Sequence, residues 1–373
     1  MPSYDFAVIG AGVFGAWIAY RLQKAGYSVA ILEAYGAGNS RSSSGGESRI
    51  IRMSYGPDEL YTRWSLRSLE LWKQFFEEAD RRELFVPTGV LWTAPEGSSR
   101  AASNQDSLIQ NGVPLETLTH SELERRFPQF RFSSPVTAIL ETASGVILAR
   151  RAVQTVVAAA IARGADYFHE LATPPPLPGP ISAGQYIYAC GPWLPKLFPA
   201  LLGNRIHPTR QEVFFFGPPA GNVSFAPPAM PAWLDYGHPS GAYSLPDLEG
   251  RGFKLAFDRH GPDTDPDLQE RAISSKSVAA ARAFVAERFP ALATAPIVET
   301  RVCQYENTSN GDFLIDRHPE FDNVWIAGGG SGHGFKHGPA VGEYVERLVT
   351  GSIQPEPRFS LASKSTARDR AVY

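Results

Sequence analysis

The chain has 373 residues, 43% of them hydrophobic and 20% charged, and a formal net charge of -3. That composition fits a folded globular protein of about two domains and carries no electrostatic footprint for nucleic acid or an anionic membrane surface. Two cysteines, Cys190 and Cys303, cannot build a disulfide framework, which points to a reducing compartment.

The chain opens directly into "YDFAVIGAGVFG". No basic region precedes this run, no cleavage pattern follows it, and it is too short and glycine-rich to span a bilayer, so a cytoplasmic location is expected. From here to Glu33 the pattern reads strand, glycine turn, helix, strand. Gly10, Gly12 and Gly15 fit G-x-G-x-x-G. The first makes the tight turn, the second lets backbone approach a pyrophosphate, and the third lets the helix lie close to the sheet. Val13 and Phe14 stand at the helix start, where N–H groups face phosphate. Gly26 ends the helix. Glu33 closes the second strand where an acid binds ribose hydroxyls. The pattern marks a dinucleotide site and does not separate FAD from NAD.

"GNSRSSSGGESRIIRMSYG" follows, dense in Gly, Ser and Arg, with Arg49 and Arg52 flanking two isoleucines. Pro57 starts a predicted helix through "PDELYTRWSLRSLELWKQFFEEA", whose apolar stripe runs through Leu60, Trp64, Leu71, Trp72 and Phe75. Residues 85–135 read as mixed and strand-like. "SGVILARRAVQTVVAAAIARG" reads as an apolar helix stopped by Gly164, and "GQYIYACGPW" as a buried strand with a glycine turn. The proline-rich stretch between Gly164 and Tyr186 has little capacity for sheet pairing. Residues 206–299 alternate short strands with Pro/Gly turns, then a helix around "SKSVAAARAFVAERF". "NVWIAGGGSGHGFKHGPAVGEYVERL" is a strand, a glycine run and a helix, in which Gly328, Gly329, Gly330, Gly332 and Gly334 let a flat ring approach the backbone. A polar tail ends the chain.

Three of these segments carry a family resemblance. Gly46, Glu47, Ser48, Arg49, Ile50, Ile51, Arg52, Tyr55 and Gly56 match G-[DE]-[ST]-R-[IL]-I-R-x-x-Y-G; residues 329–336 match G-[FLG]-S-G-H-G-F-K; and Cys303 and Tyr305 form C-x-Y before an aliphatic strand ending in Asp316. The chain thus resembles the monomeric sarcosine oxidase group, a branch of the D-amino-acid-oxidase-like flavoproteins that also holds N-methyltryptophan oxidase and pipecolate oxidase. The resemblance runs nearly end to end.

It implies an α/β two-domain flavoprotein, a Rossmann-like FAD-binding domain interlaced with a mixed-sheet substrate domain. We expect residues 1–84, 136–205 and 300–373 in the first, and 85–135 and 206–299 in the second. It implies FAD held by Gly10, Gly12, Val13, Phe14, Gly15, Glu33, Ser43, Ser44, Ser48, Arg49, Gly191, Trp193, Gly330, Gly332, His333, Gly334, Phe335 and Lys336. Cys303 corresponds to the cysteine bonded to the 8α carbon of FAD, whereas Cys190 reads as a buried core thiol. Arg52 and Lys336 correspond to the pair that binds the substrate carboxylate. Lys254, in "FKLAF", corresponds to the lysine at which oxygen is activated, where a fixed cation stabilises superoxide. Tyr243 matches an active-site tyrosine, and His333 and Tyr305 are further candidates. Relatives carry a histidine four residues after that lysine. This chain has Asp258 there, with His260 two residues on, which puts sarcosine itself in doubt and suggests a larger or more basic amine. The shortened crossover between residues 165 and 185 is a second departure.

The resemblance implies oxidation of a secondary amino acid to the imine, with O₂ reduced to H₂O₂, by a monomer that needs neither metal, membrane nor nucleic acid. Three alternatives remain open: a dehydrogenase of the same fold serving a carrier protein or quinone, an NAD-dependent dehydrogenase, and a flavin-bearing subunit without turnover.

Overall fold

The computed structural model describes residues 2–171, 173–175, 181–238 and 241–365. The first strand, β1 (Ser3–Ile9), leads through the glycine turn into helix α1 (Val13–Lys24) and strand β2 (Val29–Leu32). Next come β3 (Arg49–Ile51), α2 (Glu59–Glu78), β4 (Phe85–Val86) and β5 (Val90–Pro95). Helix α3 (Ser99–Gln110), β6 (Leu115–Leu118), α4 (His120–Arg126) and β7 (Val136–Glu141) follow. Then come β8 (Gly145–Ile147), α5 (Ala149–Ala162), β9 (Asp166–Phe168), β10 (Ser182–Tyr188) and two one-turn helices, α6 (Leu194–Leu197) and α7 (Pro199–Leu202). The second half holds β11 (Ile206–Phe216), β12 (Ala232–Asp235), β13 (Ala242–Leu245), β14 (Phe253–Phe257) and α8 (Ser275–Arg288). It ends with β15 (Ile297–Thr308), β16 (Leu314–Arg317), β17 (Val324–Gly328) and α9 (Gly338–Val349).

Three sheets organise these elements. Six strands in the order β16-β17-β10-β1-β2-β9 form the first, parallel except for β16. Residues 6–9 of β1 and all of β2 are buried, as expected for parallel strands covered on both faces. Helix α1 packs here against α9 at glycine spacing. A Cβ at Gly342 would lie 2.7 Å from the Trp17 carbonyl oxygen. The second sheet runs β15-β11-β14-β13-β12-β5-β7-β6, antiparallel apart from the β5–β12 pair. A small antiparallel sheet, β3-β8-β4, sits beside them. Among the described residues no helix is long and apolar enough to cross a membrane.

Several sequence expectations change. The domain borders drawn at 136 and 300 assign two strands to the wrong sheet: β7 pairs with β5 and β6, and β15 pairs along its length with β11, so both belong to the eight-stranded sheet. The strand β4, placed with residues 85–135, pairs with β8 in the small sheet instead. Helix α5 starts at Ala149, because the preceding "GVI" is strand β8, and short apolar runs fit either state. The 85–135 stretch contains two helices. Their polar faces hide the periodicity, yet α4 begins with a Thr119–Glu122 capping box. The supposed short strands after residue 206 include β11, eleven residues long, with Pro208 at a position where no second strand pairs. The 165–185 crossover holds β9 at the sheet edge, and part of that stretch lies outside the described residues, as does the end of the polar tail.

Candidate active site

The first turn is built as its glycines require. Gly10 adopts φ +98°, and a Cβ on Gly15 would lie 1.8 Å from the Gly10 carbonyl oxygen, so the helix can only approach the turn there without a side chain. Glu33, at the end of β2, accepts hydrogen bonds from the Ala11 N–H (2.7 Å) and the Tyr35 N–H (2.8 Å). Ser44 Oγ accepts from the Val13 N–H at the start of α1 (2.9 Å).

A cavity of about 320 Å³ runs along this turn. Gly10, Gly12, Val13 and Phe14 form one wall, and Glu33, Gly191 and Trp193 line the cavity as well. Ser43, Ser44 and Arg49 form the loop side, and Gly330, Gly332, Gly334 and Phe335 the side from the C-terminal glycine run. Gly15 does not line it and acts only through packing. Ser48, His333, Lys336 and Cys303 line an adjoining smaller cavity of about 80 Å³. The two cavities share Arg49, Tyr305, Gly332 and Phe335.

The smaller cavity gathers Arg52, Tyr243, Lys254, Asp258, Cys303, Tyr305, His333 and Lys336 from five separate segments. Arg52 and Lys336, each 4% exposed, stand over the Tyr55 ring at 4.7 and 5.0 Å, and Arg52 also faces Trp92 at 4.9 Å. These ring faces offer a buried cation part of what water would supply. Arg52 donates to the Ser54 carbonyl and Lys336 to the His333 carbonyl (3.0 Å). The loop carrying Arg52 is pinned by Glu141, which accepts from the Met53 and Ser54 N–H groups and from Trp92 Nε1. His333 Nε2 lies 3.1 Å from the Gly311 carbonyl, which can only accept. With His333 neutral, Nδ1 therefore accepts from the Tyr55 hydroxyl (3.0 Å), and His337 Nε2 donates to that same hydroxyl (2.8 Å).

Lys254 Nζ donates to the Ser48 carbonyl at 2.7 Å. Burial first, and then the neighbouring Arg49, hold its pKa well below the usual lysine value. Asp258 accepts from the Tyr305 hydroxyl at 2.8 Å. Burial pushes its pKa up to about 6, against the opposing pull of Tyr305, Arg52 and Lys336. Burial, then Asp258, raises Tyr243 to about 12. Arg49 donates to the Ser43 and Ser48 carbonyls and lies 3.6 Å from Cys303 Sγ. His260 lies beyond the end of β14, exposed, and does not line the cavity.

Three contributors were missed from sequence. Tyr55 joins both cations to His333, although only its place in a motif was visible. Cys190, expected in the core, lines the larger cavity, its Sγ 3.4 Å from the Ile9 carbonyl. Glu306 lines it too. Strand alternation after Cys303 and Tyr305 was the available signal for Glu306. The donors and acceptors fit FAD. A glycine turn and helix start suit a pyrophosphate, Glu33 suits ribose, and two buried polar atoms on the wall, Ser43 Oγ and Glu306 Oε2, have no protein partner.

Comparison with known proteins agrees. Residues 5–348 match the FAD dependent oxidoreductase family (DAO). The chain is 31% identical over 368 residues to the monomeric sarcosine oxidase of Bacillus sp. (strain B-0618), covering 94% of this chain and 93% of that protein. It is 27% identical to the N-methyl-L-tryptophan oxidase of Yersinia pestis (strain Pestoides F), covering 98% and 100%. Among solved structures, L-proline dehydrogenase from P. horikoshii superposes with a TM-score of 0.85 at 22% identity, covering 99% of this chain and 100% of that one, a likeness of fold. With a dinucleotide cavity joined to a cavity lined by cations, and with this kinship over nearly its whole length, the chain belongs to the FAD dependent oxidoreductase family as an amino-acid oxidase of the sarcosine oxidase type.

Proposed function

We propose that this protein oxidises a secondary amino acid, N-methylated or cyclic, to its imine, reduces dioxygen to hydrogen peroxide, and works as a monomer. The observation that carries the reading is the convergence of three buried basic side chains, Arg52, Lys254 and Lys336, on one small cavity abutting the dinucleotide cavity. The names of the relatives support the substrate class, since sarcosine and N-methyl-L-tryptophan are both N-methyl amino acids.

FAD, when bound, supplies the acceptor for the hydride leaving the substrate's α-carbon and passes both electrons to dioxygen. Arg52 and Lys336 clamp the substrate carboxylate and so fix which C–H bond faces the cofactor. The same two cations disfavour an ammonium beside them and keep the amine neutral, as loss of hydride requires. Tyr305 and Asp258 also line the chamber, and the Asp258 carboxylate offers a partner to a cationic group on a larger amine. Tyr243 and His333 shape the wall, His333 being fixed through Tyr55. Lys254 serves dioxygen. Its lowered pKa means that negative charge appearing beside it drives proton uptake at Nζ, which places a cation where oxygen gains electrons. Arg49 serves the cofactor, and Cys303 Sγ carries it covalently. The imine then hydrolyses in water.

The test is anaerobic mixing of the yellow protein with N-methyl, cyclic and primary amino acids. Bleaching by the first two classes, with colour returning rapidly in air, is the expected result. Bleaching that persists in air would assign a dehydrogenase, and no bleaching by any class would assign a subunit without turnover.

A further inference from the structure

Glu306 has no part in the mechanism above, yet its placement is specific. It sits on β15 one residue past Tyr305, 9% exposed, on the wall of the larger cavity. Oε1 accepts from the Gly330 N–H at 3.1 Å, and the Glu306 carbonyl accepts from the Ser331 N–H at 3.1 Å, so the side chain is anchored to the glycine run. Oε2 is buried without a hydrogen-bond partner. A Cβ on Gly328 would press on it at 3.3 Å, and one on Gly191 would reach ordinary contact at 3.6 Å. An unpartnered buried carboxyl oxygen is costly unless a ligand completes it.

The place on the wall names the ligand chemistry. Arg49, Tyr305 and Phe335 line both this cavity and the substrate chamber and so mark where the two meet, while Gly191, beside Glu306, follows Cys190, whose Cα lies 3.3 Å from a would-be Cβ on Gly10 of the phosphate turn. Gly330 packs against Gly334, which in turn faces Phe14 at the start of α1, so Glu306 stands between the phosphate turn and the redox end. In FAD that stretch is a chain of hydroxyls, each able to donate and to accept. We propose that Glu306 is a positioning residue for the cofactor, its Oε2 completing a hydrogen bond with the hydroxylated chain that joins the flavin ring to the pyrophosphate.

Glu306 also brings a titration into the cofactor cavity. Burial pushes its pKa up to about 7, with the glycine-run N–H groups pulling the other way. No ion pair to Glu306 is formed among the described residues. From the end of β10 the facing titratable group is Cys190, whose thiol burial holds protonated, with Glu33 and Glu306 both acting on it in the same sense. From β11 the residue in register is Pro208, and the glycines of β17 add no charge. Near neutral pH Glu306 therefore passes from a neutral donor to an anion, and the anion opposes gain of electrons by the cofactor.

The inference rests on FAD filling the larger cavity and not on which amine is oxidised, so both readouts omit the amine. The visible spectrum and the midpoint potential of the bound flavin are measured against pH for wild type and Glu306→Gln. The expected result is a spectral step near neutrality in wild type that the variant lacks. The two potentials should coincide at acidic pH and diverge above neutrality, wild type falling by on the order of tenfold in the reduction equilibrium. A step retained in E306Q, or a potential difference independent of pH, overturns the proposal. So does the absence of any step in wild type, a readout that survives should the variant fail to fold.

Discussion

Asp258→Asn separates the cost of a buried charge from the shape of the chamber. Burial lifts the Asp258 pKa from 3.8 to about 6. Between those values the folded chain holds a proton that the unfolded chain has released, so stability falls as pH rises through the window. Below it both states are protonated and the charge costs nothing. Above it the full penalty applies, about 3 kcal/mol at 1.36 kcal/mol per pKa unit. Asparagine keeps the Oδ1 that accepts from Tyr305 and cannot ionise. The variant should therefore match wild type at about pH 3 and exceed it by about 3 kcal/mol at about pH 8. For a chain of this length that is roughly 4 °C in Tm. Thermal unfolding of both proteins across that range is the assay. A difference of equal size at both ends would refute the reasoning, because it would mean that water, not protein, surrounds the carboxylate.

Lys254→Met should slow the return of flavin colour in air by roughly 10²–10³-fold while leaving anaerobic bleaching by substrate intact. Because the folded chain depresses this lysine's pKa, its penalty is fully present at low pH and fades towards alkaline pH, so Lys254→Met should also raise Tm most in acid. For Cys303→Ser, acid precipitation should release the yellow colour to the supernatant, whereas wild type should keep it in the pellet; colour wholly released from wild type would exclude the bond. Gly15→Ala should purify colourless, since its new Cβ would collide with the Gly10 carbonyl at 1.8 Å and displace the turn; a yellow variant would show that the helix can back away.

What was legible in the sequence was local. Gly10 and Gly15 announce their turn because sterics leave no other residue there, and the glycine run before α9 is equally explicit. The gathering of Arg52, Lys254 and Lys336 was legible only through the family motifs around them. Nothing in residue spacing says that β3, β14 and the glycine run converge. Sheet membership of β7 and β15 was hidden for the same reason, since a strand's partner is set by pairing with segments distant in sequence and not by its own pattern. Helix α3 shows how a weak apolar stripe defeats periodicity. Glu306 and Tyr55 were overlooked because each acts through geometry, one as the alternate residue on a strand and the other as a ring beneath two cations.

Strand β15 belongs to the substrate sheet by hydrogen bonding, yet its alternation serves both chambers: Cys303 lines the substrate cavity, Gln304 and Glu306 line the cofactor cavity, and Tyr305 touches both. One strand is thus a party wall. Its register is held by eleven pairings to β11. Deleting or inserting one residue before Cys303 would exchange the two sets of side chains between the rooms. The thiol, the phenol and the carboxyl are therefore inherited together: evolution can retune any one by substitution, but it cannot shift the frame of this strand without losing all three at once.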